Sequence, residues 1–224
     1  MSFAIYVTIF TYCFFTPFKQ FDKHVGAERK SLNIDSIKRI INRLDEKVGH
    51  PFGEKRIIEN DTVIVFSPIR NNGISYFTST HGKTEFINGN SETGYVRKIT
   101  IESEPIIQVT TYYGNGSVKS FQYRYSKSSI DYPIKVYEEF DKTGNLIEQL
   151  DPAKIIHFTI SDIEKLVKKR GGERIIEATL TFSPGHRKNW YVRYFSDSDG
   201  LSTYVINAEN GKIIGQKHNI VINE

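Results

Sequence analysis

An internal repeat constrains this chain more than any single residue, because every candidate site can be checked against its twin. Arg56-Ile57-Ile58-Glu59 returns 118 residues later as Arg174-Ile175-Ile176-Glu177. Phe66-Ser67-Pro68 returns as Phe182-Ser183-Pro184 at an offset of 116. Tyr76-Phe77, with Gly82 beyond it, returns as Tyr194-Phe195 with Gly200 at an offset of 118. Asn90-Ser91-Glu92-Thr93-Gly94 matches Asn207-Ala208-Glu209-Asn210-Gly211 at an offset of 117. One ancestral unit copied in tandem accounts for these matches.

Each copy opens on a helical pattern. Ile34, Ile37, Ile41, Leu44 and Val48 form one apolar stripe, with Asn33 or Asp35 as its cap. In the second copy Ile163, Leu166 and Val167 supply the stripe, and Ser161 with Glu164 is read as a capping box. Strand patterns follow. Ile176, Ala178, Leu180 and Phe182 alternate with Glu177, Thr179, Thr181 and Ser183, one face buried and one wet. Trp190 to Phe195 is a second strand, and Asp199-Gly200 and Asn210-Gly211 are tight turns. Between the copies the pattern is all hairpin, turning at Gly114-Asn115-Gly116 and at Thr143-Gly144-Asn145, a stretch that either extends the first sheet or bridges the two units. The expected class is α+β, two helix-plus-antiparallel-sheet units in tandem joined by an antiparallel β-hairpin segment. The expected bounds are 31–100 for the first unit, 101–152 for the hairpins and 153–224 for the second unit.

A chain of 224 residues has length enough for two self-sufficient cores, and its 25% charged residues are ordinary for a globular protein. The 13 Tyr and 15 Phe favour sheet. A net charge of +4, without a long basic run or a nucleic-acid motif, argues against nucleic-acid binding. Lys38, Arg39, Arg43 and Lys47 on one helix, and Lys165, Lys168, Lys169 and Arg170 on another, read as solvated faces. Residues 1–18 carry no charged side chain, and 1–27 are read as an apolar signal or anchor segment that offers membrane attachment. Export to the periplasm, or anchoring at the cell envelope, follows from that reading. Cys13 is the only cysteine, so no internal disulfide and no cysteine-rich metal site exists.

The second copy, clearest over 160–215, resembles a PepSY domain. Its opening helix, its aromatic strand and the segment Tyr204-Val205-Ile206-Asn207-Ala208-Glu209-Asn210-Gly211-Lys212 carry the resemblance, with Asn207 and Asn210 where the family has Asp and Thr. Residues 32–100 are a more diverged copy. The resemblance implies an exported or envelope-associated module that restrains peptidases or binds a ligand or partner, with no catalytic residues. Residues 105–150 resemble MORN-like hairpin repeats, as in bacterial antitoxin-like or surface proteins, through Tyr112-Tyr113-Gly114-Asn115-Gly116 and the Tyr137 to Ile147 hairpin.

Candidate chemistry is sparse. Asp197-Ser198-Asp199-Gly200 looks like the start of a calcium loop, but its twin Thr78-Ser79-Thr80-His81-Gly82 keeps only the glycine, so a turn is the better reading. The histidines lack zinc spacing, and no nucleophile elbow or phosphate loop is present. Glu59 and Glu177 read as surface charges beside Arg56 and Arg174. No cofactor and no metal is expected, and no enzyme. Tyr191 and Phe195 fall opposite the packed side of their strand, and Tyr113 and Tyr137 crowd the hairpins; these four are the expected contacts to a protein partner, peptidase-like or toxin-like, with an inter-domain core packed on the hairpins as the equal alternative. A non-catalytic envelope or secreted binder, an inhibitor or immunity-type protector, is the resulting expectation. Two alternatives stay open: a hydrolytic enzyme assembling Asp141, Glu148 and Asp151, and a structural or surface-adhesion protein.

Overall fold

The computed structural model describes residues 30–48, 54–70, 73–182, 185, 188–196 and 200–219. The expected signal segment, Cys13 and Asp197-Ser198-Asp199 lie outside them. In chain order the elements are α1 (Ile34–Val48), β1 (Lys55–Glu59), β2 (Thr62–Arg70), β3 (Gly73–Thr80), β4 (Lys83–Asn90), β5 (Gly94–Ile101), β6 (Ile106–Tyr112) and β7 (Val118–Lys127). There follow β8 (Ile130–Pro133), β9 (Tyr137–Phe140), β10 (Leu146–Leu150), α2 (Pro152–Ile155), α3 (Ile160–Lys169), β11 (Gly172–Thr181), β12 (Asn189–Ser196), β13 (Gly200–Asn207) and β14 (Ile213–Asn219).

The tandem α+β expectation is overturned. Among the described residues strand outweighs helix 56% to 17%, and the described strands form one mixed sheet of 14. Its order is β1-β2-β3-β4-β5-β6-β7-β8-β11-β12-β13-β14, with β9 on β7 and β10 on β9. The physical reason is edge pairing. A strand edge left open exposes a row of unpaired N–H and C=O groups, and the hairpin strands take up such edges instead of linking two separate sheets. β5 pairs with β6 from Tyr95 opposite Tyr112 to Thr100 opposite Ile107. β8 pairs with β11, in parallel, at Ala178–Ile130 and Thr179–Asp131.

By contact the chain separates into two compact units, one of Met1–Phe121 with Lys142–Gly144, the other of Gln122–Asp141 with Asn145–Glu224. The hairpin strands are shared between them. In the first, Ile41 and Leu44 of α1 pack with Ile64, Phe66, Ile74, Ile87, Tyr95 and Tyr112. Asn33 is the cap of α1, its Oδ1 accepting from the Ser36 amide at 2.9 Å. In the second, Ile163 and Val167 of α3 pack with Ala178, Leu180, Phe182, Trp190, Val192, Tyr194, Tyr204 and Ile206. The Trp190 indole donates to the Phe158 carbonyl at 2.8 Å.

α3 is capped two residues earlier than Ser161. Thr159 is its N-cap, and Asp162 Oδ2 accepts from the Thr159 amide at 2.9 Å and hydroxyl at 2.8 Å. The amide bond, then the hydroxyl bond, holds the Asp162 carboxyl below its ordinary value of 3.8. A depressed carboxyl stabilises the fold above its unfolded value and stops doing so as pH falls through the folded one. Asp162→Ala is therefore expected to lower the unfolding midpoint at neutral pH, with the gap from the parent narrowing below about pH 4. Denaturant titrations at both pH values check this.

The turns matched in sequence are built alike. Asn90 Oδ1 accepts from the amides of Glu92 at 2.9 Å and Thr93 at 2.8 Å. Asn207 Oδ1 accepts from Glu209 at 2.9 Å and Asn210 at 3.1 Å. Asparagine offers the same acceptor oxygen as aspartate, so Asn207 keeps the turn without the charge.

Candidate functional site

The exposed side of β12 carries two large aromatic residues. β12 alternates without a break: Trp190, Val192 and Tyr194 are buried, while Tyr191 and Phe195 are 40% and 38% exposed. Across the ladder Tyr191 faces Thr179 on β11 and Val205 on β13. Phe195 faces Arg174 and Leu201 in the same way. Arg193 lies between the two rings on the same side of the strand, because side chains repeat every second residue.

A bulge sets the relief of this face. On β11 the ladder runs Ile175–Tyr194 and then Glu177–Arg193, so Ile176 has no partner on β12. The extra residue shifts the strand's alternation. Ile175 rather than Ile176 packs on the core, which corrects the phase expected from the sequence. Ile176 instead lines a groove of about 370 Å³ with Ile130 and the hydroxyls of Ser129 and Thr179. Bulges re-aim side chains in this manner and are frequent beside functional sites. The hairpin from β7 to β8 adds a second irregularity at the groove's edge. Ser128 and Ser129 have φ of 49° and 71°, left-handed values that cost a non-glycine residue about 1 kcal/mol or more.

The charges at the groove come as two pairs. Glu177 Oε2 accepts from Arg193 Nη1 at 3.4 Å, and Glu177 Oε1 accepts from the Thr179 hydroxyl at 3.5 Å. Asp131 Oδ1 accepts from Arg124 Nε at 2.6 Å. Arg124 also donates to the Leu180 carbonyl at 3.2 Å and is 13% exposed, so its guanidinium is a buttress within the sheet. Glu177 thus pairs with Arg193, not with the Arg174 beside it in sequence, and Glu59 pairs with Lys47 rather than Arg56.

Of the four aromatic residues expected to meet a partner, the structure brings together Tyr191 and Phe195. Tyr137 is 7% exposed and belongs to the core, its hydroxyl donating to Glu139 at 3.2 Å. That burial removes it from any surface, because an aromatic ring is among the largest apolar areas a core can take up. Tyr113 belongs to the first unit, with the ammonium groups of Lys119 and Lys142 over its ring at 5.8 and 5.9 Å. Tyr125 and Tyr132 stack at 5.2 Å, and burial raises the Tyr132 phenol above its ordinary value, with the neighbouring Tyr125 and Glu164 adding to the effect.

Two of the acids of the enzyme alternative are engaged in a turn and a cap, and the third lies in a strand. Asp141 accepts from the Asn145 amide at 2.9 Å and its side chain at 3.0 Å. Asp151 caps α2 through the Ala153 amide at 3.1 Å. Glu148 faces Glu139 on β9. Among the described residues no cluster of His, Cys, Asp and Glu is placed to hold a metal, and no helix is long and apolar enough to cross a membrane.

Sequence reasoning missed the groove. Its residues come from β7, β8, the turn between them, β11 and β12, and no short motif spans them. Comparison with known proteins gives no match, whether with family models, curated proteins or solved structures.

Proposed function

We propose that this chain is a non-catalytic binding protein that holds a protein partner, a peptidase or a toxin, against the outward face of β11, β12 and β13. The observation that carries the reading is the exposed pair Tyr191 and Phe195, flanking Arg193 on one regular strand. Tyrosine, phenylalanine and arginine are enriched at the cores of protein interfaces, because they bury much area at small entropic cost. The uncharged run of residues 1–18 supports placing this activity at the bacterial envelope. The PepSY-like residues of 160–215 support the same role, as a module that binds rather than reacts.

Photo-crosslinking tests the reading in cells that make the protein natively. Benzoylphenylalanine placed at Tyr191 or Phe195 is expected to yield one discrete adduct, absent when the label replaces Ile58, an exposed apolar residue of the first unit. Alanine at both Tyr191 and Phe195 is expected to weaken capture of the identified partner at least tenfold, about 1.4 kcal/mol or more, as the loss of an aromatic hot spot implies. No adduct at either position, or equal adducts at Ile58, overturns it.

A further inference from the structure

We infer that the groove beside Tyr191 receives a basic side chain, lysine or arginine, presented by the protein partner. This inference rests on the binding face proposed above and names what that face recognises.

The lining is matched to such a side chain along its whole length. Ile130 and Ile176 give an apolar wall for an aliphatic stem, and long basic side chains bury their stems in this way while the charged head seeks acceptors. Acceptors dominate the polar part. Asp131 and Glu177 contribute carboxylates with side chains 40% and 36% exposed. Ser129 and Thr179 add hydroxyl oxygens. Among the described residues the one cation in the lining is Arg193, which is half-buried and reaches Glu177 only at 3.4 Å. Arg124, which neutralises Asp131, does so from within the sheet through Oδ1, and among the described residues Asp131 Oδ2 has no bond.

An incoming ammonium or guanidinium therefore meets two carboxylates from the open side while their own partners hold them from behind or at a long distance. An anionic side chain would find only Arg193 as a cation in the lining, already paired with Glu177, and both carboxylates beside it. Tyr191 lies outside the lining, opposite Thr179 on the neighbouring strand, which places the groove next to the proposed binding face. A volume of about 370 Å³ lies at the small end of ligand sites, enough for one side chain and not for a folded element.

The test uses the full chain, uniformly 15N-labelled, titrated with capped tripeptides Ac-Gly-X-Gly-NH2 and followed by amide shifts. With lysine or arginine as X, saturable shifts are expected at Ile130, Ala178 and Thr179, with millimolar affinity as befits one side chain. Norleucine, which keeps the stem and lacks the charge, and glutamate are expected to produce none. Glu177→Gln is expected to weaken the lysine peptide about tenfold, and raising salt is expected to weaken it further. Asp131→Asn is a second variant, interpretable where the remaining amide spectrum shows the Arg124 region intact. Equal shifts with norleucine, no saturable shift with lysine or arginine, or unchanged affinity in Glu177→Gln overturns the inference. Crosslinks at Tyr191 that persist undiminished in Glu177→Gln would leave the binding face standing and remove the groove's part in it. Absence of crosslinks would remove the face itself, whatever the peptides do.

Discussion

Gly94→Ala is expected to lower stability by about 3 kcal/mol or more. Gly94 opens β5 with φ of +88°, and a Cβ there would lie 2.2 Å from the Tyr112 carbonyl oxygen. That oxygen is backbone, held in the β5–β6 ladder where Tyr95 faces Tyr112, so it cannot swing aside as a side-chain tip could. Two penalties coincide, a left-handed backbone and a main-chain collision. Gly144→Ala separates them. It has φ of +91° with nothing within 4 Å of the added carbon, and only the conformational cost of about 1–2 kcal/mol applies. Each kcal/mol shifts the melting temperature of a protein this size by about 2–4 °C. Gly94→Ala is thus expected to fall about 10 °C and Gly144→Ala about half that or less. Equal shifts would show that backbone handedness alone matters at Gly94.

Trp190→Ala is expected to cost about 3–5 kcal/mol. The ring is 1% exposed at the centre of the second unit's core and lies 5.6 Å from the Tyr132 ring. Its indole donates to the Phe158 carbonyl, just before the Thr159 cap of α3. Trp190→Phe keeps most of the packing and drops the donor, which isolates a cost of about 1–3 kcal/mol for the carbonyl left without it. Trp190 is the only tryptophan, so the variants are followed by circular dichroism in denaturant. A loss under about 1 kcal/mol for Trp190→Ala would mean that the core closes without it.

What the sequence revealed and what it hid follow from the range of the interactions. The α1 stripe from Ile34 to Val48 and the split of β12 into Trp190, Val192 and Tyr194 against Tyr191 and Phe195 are local periodicities, and the structure keeps them. The Gly114 and Gly144 turns are equally local. The bulge at Ile176 is different. Arg174-Ile175-Ile176-Glu177 reads as an unbroken strand, and only its pairing to β12 shows that one residue is extra. The same limit left open whether the hairpins extend the first sheet, as β6 does on β5, and hid the joining of β8 to β11, since which edge a strand occupies is decided by partners far along the chain. Tyr137 looked available because hairpin aromatics alternate. The core that buries it includes Trp190 and Ile163, more than twenty residues away in sequence. Glu177 was visible as a charge, but its partner Arg193 lies across a strand boundary that sequence distance conceals.

The parallel junction of β8 and β11 has a kinetic consequence. It consists of two register pairs, Ala178–Ile130 and Thr179–Asp131, and the Ala178 amide is given to Ser129 at 2.9 Å. The antiparallel strands on either side close through short turns, whereas this contact must wait for the intervening chain to find its place, and loop closure is repaid only by the bonds that follow it. So small a seam is expected to form late in assembly, after the hairpins on either side of it.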